Sequence, residues 1–145
     1  MKKENIKTLT PITLKPEFKT KYQIQNFREN IFIVTLDNDY YYYLTSVTDN
    51  SLEEDKLQTT ISKKDAIDHN NNIQSFEFDY TLDFSKVFRI KKEELHQFIK
   101  EVSLLRVNWD KQLDIVVTID NFINQKTKIQ IILINEERNQ FLSVI

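Results

Sequence analysis

The stretch that decides the fold is a pair of apolar runs around a polar turn: IFIVTL (31–36), DND (37–39) and YYYYLTSV (40–47). Both runs are rich in β-branched and aromatic residues, which favour strands. Asp and Asn are common in turns because their short side chains bond to the local backbone. The pattern predicts a β-hairpin with a three-residue turn. Because side chains alternate along a strand, two of the four tyrosines, Tyr40–Tyr43, are expected on each face of the sheet.

Further strands are predicted on the C-terminal side of this hairpin. Residues 76–84 alternate strictly between large apolar and polar side chains, which predicts a strand with one buried face. Extended segments are also expected at residues 86–90, 113–119 and 128–134. The tail, 136–145, fits either a short helix or a final strand.

One helix is predicted, over Lys91–Leu105. Its apolar residues recur at three- and four-residue spacing and form one stripe: Leu95, Phe98, Ile99, Val102 and Leu105. Glu93 and Glu94 fall in its first turns, where the helix dipole favours acidic side chains. Together, these elements predict an α+β fold that is mostly β, with one main helix and extra C-terminal strands.

The 145 residues are predicted to form a single domain, 1–145, with two polar segments. The first is a basic N-terminal arm, about 1–22, whose two prolines argue against a long helix and leave room for a short strand around 8–14. Residues 1–28 carry seven basic and two acidic side chains, which suits either a solvated arm or contacts to nucleic acid. The second is a polar loop, about 49–72, with a short helical or extended piece near Thr60.

The chain contains no glycine and no cysteine. A Walker loop, a GxGxxG fingerprint and a GxSxG elbow all need glycine for positive φ or for close approach of the backbone. Nucleotide-dependent enzymes of those classes and α/β-hydrolases are therefore excluded. The lack of cysteine excludes disulfide scaffolds, zinc ribbons, iron–sulfur sites and thiol nucleophiles. Turns that need positive φ must use Asn or Asp.

No metal or cofactor is expected. His69 and His96 are the only histidines, they match neither HExxH nor HxH, and both are predicted at the surface. No apolar run approaches the ~20 residues of a membrane span, and no apolar segment follows the charged N-terminus as in a secretory signal. We therefore expect a cytoplasmic protein with no membrane partner.

The segment 27–50, FRENIFIVTLDNDYYYYLTSVTDN, resembles the early strands of the MazF/PemK and ToxN-like bacterial toxin endoribonucleases. In that family an Arg or Lys opens a hydrophobic strand, a turn follows, and the next strand ends in a Thr-Ser pair. Arg28 takes the first place here, and Thr45 with Ser46 takes the second. The resemblance covers about residues 20–105. It implies a small SH3-like, partly open barrel and a toxin of a toxin–antitoxin or phage-defence system.

The resemblance also implies a catalytic set. Metal-independent RNA cleavage uses the ribose 2′-OH as the nucleophile and needs a cation for the charge that develops on the phosphate. Arg28 would stabilise that charge, while Thr45 and Ser46 would bind the phosphate or the 2′-OH. The implied partners are an RNA substrate and a protein or RNA antitoxin, together with a homodimeric state.

Two groups of residues are candidates for RNA binding. Lys15, Lys19 and Lys21 supply positive charge, and Tyr41 and Tyr43 would stack on bases. The alternative is that alternate tyrosines belong to the core. At the level of function, the alternative is a non-enzymatic protein-binding module, such as an inhibitor or immunity protein of a phage or mobile element.

Overall fold

A computed structural model describes residues 6–22, 27–47, 58–84, 86–124, 129–134 and 139–144. The strands are β1 (Ile12–Leu14), β2 (Phe27–Leu36), β3 (Tyr40–Val47), β4 (Gln58–Ile61), β5 (Ala66–Ile67), β6 (Ile73–Gln74), β7 (Tyr80–Asp83), β8 (Lys86–Lys91), β9 (Ile99–Val102), β10 (Arg106–Val107), β11 (Ile129–Ile134) and β12 (Asn139–Val144). The α-helices are α1 (Pro16–Tyr22), α2 (Lys92–His96) and α3 (Trp109–Asn124). The fold is mostly β with one main helix, as predicted.

Most of the described strands belong to one sheet, in the order β12-β11-β8-β3-β2-β1-β9, with β7 and β4 branching from β3. The pairs are antiparallel except for β8 and β11, which are parallel. A small second sheet has the order β10-β5-β6. Among the described residues, the sheet does not close into a barrel.

The predicted hairpin is confirmed as β2 and β3. The Asp37 carboxylate accepts the backbone N–H groups of Asp39 and Tyr40, at 2.9 and 2.7 Å, and so fixes the turn without glycine. In the polar loop, Asn71 has φ 65°, the left-handed conformation that Asn tolerates. Leu9 also has positive φ, 54°, and its backbone N–H and C=O bond to Ile33 and Val107.

Two apolar clusters lie on opposite faces of β2 and β3. On one face, Ile31 and Ile33 pack with Tyr41 and Tyr43. On the other, Phe32 and Leu44 pack with residues of β4, β7, β10 and α3. Tyr40 and Tyr42 are half-buried. The expected division of the tyrosines between the two faces is therefore confirmed.

The main helix was predicted in the wrong place. Only Lys92–His96 is helical within the interval 91–105, and the chain then becomes strand β9. Ile99 pairs with Leu14 and Val102 with Ile12, so hydrogen bonds to β1 override the helical spacing of the apolar residues. The spacing was misleading because Leu95 and Ile99 enter the same apolar cluster, one from a helix and the other from a strand.

The predicted strand 113–119 is also wrong, since it lies within α3. The Asn108 side chain accepts the N–H of Lys111 at 2.8 Å and caps the first turn of the helix. The β-branched run Ile115–Ile119 favours a strand locally, but no neighbouring strand pairs with it within the described residues.

Other predicted strands are confirmed with changed bounds. The alternating segment 76–84 is a strand only at Tyr80–Asp83, yet Phe76, Leu82 and Phe84 are all buried as predicted. The strands expected at 86–90 and 128–134 are β8 and β11, and the tail contains β12. Of the polar loop 49–72, positions 49–57 lie outside the described residues, and the piece near Thr60 is strand β4.

The described part of the N-terminal segment is built into the sheet. β1 lies between β2 and β9, and Ile12, Leu14 and Phe18 are fully buried. α1 begins at Pro16, a position where the missing N–H of proline costs no helical hydrogen bond. The strand expected around residues 8–14 is confirmed as Ile12–Leu14.

Candidate functional site

The predicted catalytic residues lie on paired strands at the open end of the β2–β3 hairpin. Phe27 pairs with Val47, and Ile31 pairs with Thr45, with a register shift between the two pairs. The backbone of Arg28 therefore lies on β2 beside the end of β3 that carries Thr45 and Ser46. Strand pairing alone brings these three positions together, because they are about 17 residues apart in the sequence.

A chain of hydrogen bonds joins three strands at this end of the hairpin. The Ser46 hydroxyl donates to the Asn30 carbonyl at 3.0 Å, and the Asn30 amide donates to the Thr13 hydroxyl at 3.0 Å. Asn30 and Ser46 are buried, at 6% and 0% exposure. Buried polar groups are stable only when they are bonded, so these contacts fix the relative positions of β1, β2 and β3.

A buried carboxylate lies on the strand that pairs with the end of β3. β3 pairs with β8 over Tyr40–Tyr43 and then changes partner, so that Ser46 pairs with Leu82 of β7. Asp83 follows Leu82 directly and is buried, as is Thr45 at the point where β3 changes partner. We call Asn30, Thr45, Ser46 and Asp83 the buried polar cluster.

Burial changes what the predicted hydroxyls can do. Thr45 is 4% exposed and Ser46 is fully buried, so neither hydroxyl is open to solvent in this structure. The sequence predicted direct contacts with phosphate or the 2′-OH. Ser46 instead holds the backbone of β2 through Asn30, two residues from Arg28. Its role in this conformation is to position that strand.

Of the three predicted RNA-binding lysines, Lys19 and Lys21 lie within α1 and Lys15 directly precedes it. The Lys15 ammonium donates to the Gln97 carbonyl at 3.3 Å, and the Lys21 ammonium lies 2.9 Å from the buried carboxylate of Glu94. Lys19 is exposed on α1. Two of these charges are thus used to fasten the N-terminal segment to α2 and the residues after it.

Tyr41 and Tyr43 do not form a stacking surface in this structure, because their rings are buried. The Tyr43 ring is fully buried and stacks on Phe88 at 5.3 Å. The Tyr41 hydroxyl bonds to His96 Nε2 at 2.8 Å. Burial raises the pKa of both tyrosines, that of Tyr43 more strongly. The alternative interpretation, that alternate tyrosines are core residues, is confirmed.

The two histidines differ in their surroundings. His69 is exposed, as predicted. His96 is half-buried and its ring packs beside that of Tyr41, with centroids 5.6 Å apart, so it is less accessible than His69. The reason is the short α2, which turns His96 toward the tyrosine instead of leaving it on the outside of a long helix.

The tyrosines that remain accessible lie on the opposite face. Tyr40 is paired with Lys91 and Tyr42 with Arg89, across β3 and β8. The Arg89 guanidinium lies over the Tyr40 ring, 4.3 Å from its centroid. We call these four residues the tyrosine–arginine face. The sequence pattern selected Tyr41 and Tyr43. Tyr40 and Tyr42 could have been selected only by knowing which face of the sheet the other elements cover.

A second accessible surface lies on α3. Trp109, Leu113, Val116 and Val117 are 55%, 64%, 51% and 45% exposed. Their spacing places them on one side of the helix, away from Gln112 and Ile115, which are buried. We call these four residues the α3 apolar face. Apolar side chains grouped in this way commonly mark an interface.

No group of three or more His, Asp or Glu side chains within the described part of the chain could hold a metal ion. None of the helices in the described segments is both long enough and apolar enough to cross a membrane. Comparisons with protein-family models, curated proteins and solved structures find no significant match to this chain.

Proposed function

We propose that this chain is a metal-independent endoribonuclease that cleaves single-stranded RNA, as a cytoplasmic toxin of a toxin–antitoxin or phage-defence system. The observation that carries the proposal is the strand register, which sets the backbone of Arg28 beside the end of β3 that carries Thr45 and Ser46. These are the positions that match the motif of the toxin endoribonucleases. The first part of β3 pairs with β8 and its end pairs with β7. This branched sheet is compatible with an SH3-like, partly open arrangement.

The proposed reaction is an internal transesterification. The ribose 2′-oxygen loses its proton and attacks the adjacent phosphorus, the bond to the 5′-oxygen breaks, and that oxygen takes up a proton. The products are a 2′,3′-cyclic phosphate and a 5′-hydroxyl. Arg28 stabilises the additional negative charge at phosphorus, since a guanidinium is always protonated at neutral pH and matches phosphate geometry.

The buried polar cluster supports this role by fixing β2. Preorganised donors are effective in catalysis because they need no rearrangement during the reaction. The Ser46–Asn30–Thr13 chain of hydrogen bonds holds the strand that carries Arg28. We therefore propose Arg28 as the catalytic residue and Ser46 as a positioning residue. The proposed partners are a protein or RNA antitoxin and a second copy of the chain.

The test is RNA cleavage by purified protein in the presence of EDTA. Wild type should cut a single-stranded RNA to a 2′,3′-cyclic phosphate product and leave the same RNA intact where 2′-deoxyribose replaces the ribose at the cut. Arg28→Ala should lose at least about 100-fold in rate, the typical effect of removing one stabilising group. Arg28→Lys should retain part of the rate.

The matched control is Lys100→Ala, which removes an exposed cation from β9. It should cleave as wild type does and should arrest growth on induced expression, whereas Arg28→Ala should not. Harmless expression of wild type together with intact RNA in vitro would exclude the endoribonuclease.

The α3 apolar face favours a second candidate, a non-enzymatic protein-binding module. Asp110, Asp114 and Asp120 are exposed on the same helix, and Lys111 bonds to Thr59 and Asp114. A protein segment with an apolar face and basic flanks would complement this surface. A second copy of α3 would bring like charges together.

The second candidate can be tested with designed peptides. A helical Leu/Lys peptide should bind wild type more tightly than a Leu/Glu peptide with the same leucine positions, and Leu113→Asp should abolish the difference. Equal binding of the two peptides, or a homodimer through α3 in sedimentation, would contradict this candidate.

A further inference from the structure

We infer that the tyrosine–arginine face binds unpaired RNA bases and their phosphates. The inference rests on the proposed endoribonuclease and names the surface that holds its substrate. Tyr40 and Tyr42 are alternate residues of β3 and therefore point to the same side of the sheet. Both are half-buried, unlike Tyr41 and Tyr43, which are in the core.

The cations lie on the adjacent strand. Arg89 is paired with Tyr42 and Lys91 with Tyr40, and paired strands are about 4.8 Å apart. Bases stacked on β3 would thus have their phosphates beside β8. Single-stranded nucleic acids are commonly bound in this way, by aromatic rings for the bases and a row of cations for the backbone.

The guanidinium of Arg89 is positioned to contact both a base and a phosphate. Its guanidinium lies over the Tyr40 ring at 4.3 Å, and among the described residues no carboxylate forms an ion pair with it. Its Nε is shielded from solvent and has no hydrogen-bond partner in the part of the chain that the structure describes. A guanidinium plane stacked on a ring offers its other side to a base and its terminal N–H groups to a phosphate.

The turn at residues 37–39 forms one boundary of the tyrosine–arginine face. Asp37 accepts a hydrogen bond from the Tyr42 hydroxyl at 3.1 Å, which orients the tyrosine ring. Backbone hydrogen bonds from Asp39 and Tyr40 lower the pKa of Asp37, so this carboxylate is negative at neutral pH. It repels phosphate from the turn. The RNA backbone is therefore expected beside β8, and the RNA is expected to run along β3 away from the turn.

This direction leads to the proposed cleavage site. Ser46 lies four residues beyond Tyr42 on β3, about 13 Å along the strand. Arg28 lies beside that end of β3. RNA bound at the tyrosine–arginine face therefore needs to extend only a few nucleotides, past the elements that cover β3 from Leu44 onward, to reach the end of the hairpin beside Arg28.

The test is the binding of a fluorescent single-stranded RNA whose riboses are all 2′-O-methylated, so that cleavage cannot occur. Tyr42→Ala should weaken binding by roughly ten-fold or more, as expected for the loss of one stacked base. Tyr42→Phe keeps the ring but loses the hydrogen bond to Asp37, and it should recover most of the binding that Tyr42→Ala loses. Arg89→Ala should weaken binding and reduce its salt dependence by about one phosphate contact.

Two controls separate this surface from general charge attraction. Lys100→Ala removes a distant exposed cation and should have little effect. A double-stranded RNA of the same sequence should bind more weakly to wild type, because its bases are paired and cannot stack on tyrosine. All variants are compared with wild type in urea unfolding to confirm that they are folded.

The outcomes distinguish the inference from the proposed function. Binding that depends on Tyr42 and Arg89 without cleavage of unmodified RNA would support the surface and exclude the nuclease. Cleavage with wild-type binding by Tyr42→Ala and Arg89→Ala would support the nuclease and overturn the surface. Failure of wild type to bind single-stranded RNA would also overturn the inference and assign the face to another class of partner.

Discussion

The two ends of the β2–β3 hairpin are built from different chemistry. At the turn end, Tyr40 and Tyr42 are half-buried beside cations, and Asp37 holds the turn through exposed hydrogen bonds. At the open end, Asn30 and Ser46 are buried, and their hydrogen bonds run between strands. One end is suited to holding a ligand at the surface, and the other to fixing a backbone.

The comparison shows how one strand serves both purposes. β3 is covered on one face along its length, by the cluster that contains Tyr41 and Tyr43. Its other face is covered only from Leu44 onward, where β7 and α3 contribute to the second apolar cluster. On this face of β3, the tyrosines are therefore accessible only before Leu44, where β7 and α3 begin to cover the strand. The same division predicts how substitutions at the two ends will differ.

The largest expected effect separates two adjacent tyrosines. Tyr43→Ala removes a fully buried ring that packs on Phe88, and it should lower the free energy of unfolding by about 3–5 kcal/mol. Tyr42→Ala removes a half-buried ring and should cost about 1 kcal/mol or less. Urea unfolding of both variants measures the difference. Equal losses would show that the two faces of β3 are not covered differently.

The open end should depend on its buried amide. Asn30→Ala leaves the half-buried Thr13 hydroxyl without its donor and removes the hydrogen bond of a buried amide, so it should cost about 1–3 kcal/mol. Asn38→Ala, at the exposed turn end, is the control and should cost well under about 1 kcal/mol. A neutral Asn30→Ala would indicate that the buried polar cluster does not hold the strands together.

A smaller effect tests the two buried hydroxyls. The Tyr43 hydroxyl is buried and has no hydrogen-bond partner among the described residues, so Tyr43→Phe should leave stability unchanged or raise it by up to about 1 kcal/mol. Tyr41→Phe loses the bond to His96 and should cost about 1 kcal/mol. Thermal unfolding of the pair gives the signs, and a loss of stability in Tyr43→Phe would contradict the structure.

The smallest effect is a pH dependence at the turn end. The backbone N–H groups of Asp39 and Tyr40 lower the pKa of Asp37 from its ordinary value of 3.8. A carboxylate with a lowered pKa in the folded state stabilises the fold above its unfolded pKa, and this stabilisation is lost as the pH falls through the folded value. Asp37→Asn should therefore be less stable than wild type at pH 7, and the gap should shrink below pH ~4.

That gap can be followed by urea unfolding across pH 2–7, a range that includes the ordinary carboxyl pKa. Glu77→Gln, an exposed change away from the hairpin, serves as the control. A difference between wild type and Asp37→Asn that stays constant with pH would mean that the Asp37 charge does not contribute.

The hairpin was predictable because its signals are local. Alternation of the tyrosines, the β-branched residues of β2 and the Asp-rich turn all act within 17 residues. The helices were not predictable from the same reasoning. The spacing of Leu95 and Ile99 is that of a helix, but pairing with β1, about 85 residues earlier, makes the second of them a strand residue.

The candidate site divides in the same way. The sequence pattern named Arg28, Thr45 and Ser46, and the strand register brings these positions together. Asn30 and Asp83 carry no sequence signal, since their burial arises from contacts between strands. The choice of Tyr41 and Tyr43 over Tyr40 and Tyr42 required knowing which face the helices α1 and α2 would cover. Asn108 did carry a signal, as a helix cap, and could have located α3.

The position of β1 has a consequence for how the chain reaches this structure. β1 lies between β2 and β9, although about 85 residues separate it from β9 along the chain. Closing a loop of that length costs more entropy than forming the β2–β3 hairpin, and contacts distant in sequence slow folding. During synthesis, β1 can complete its pairing only after β9 has left the ribosome. A chain that stops before Ile99 therefore keeps an unpaired β1 edge, one strand away from the strand that carries Arg28.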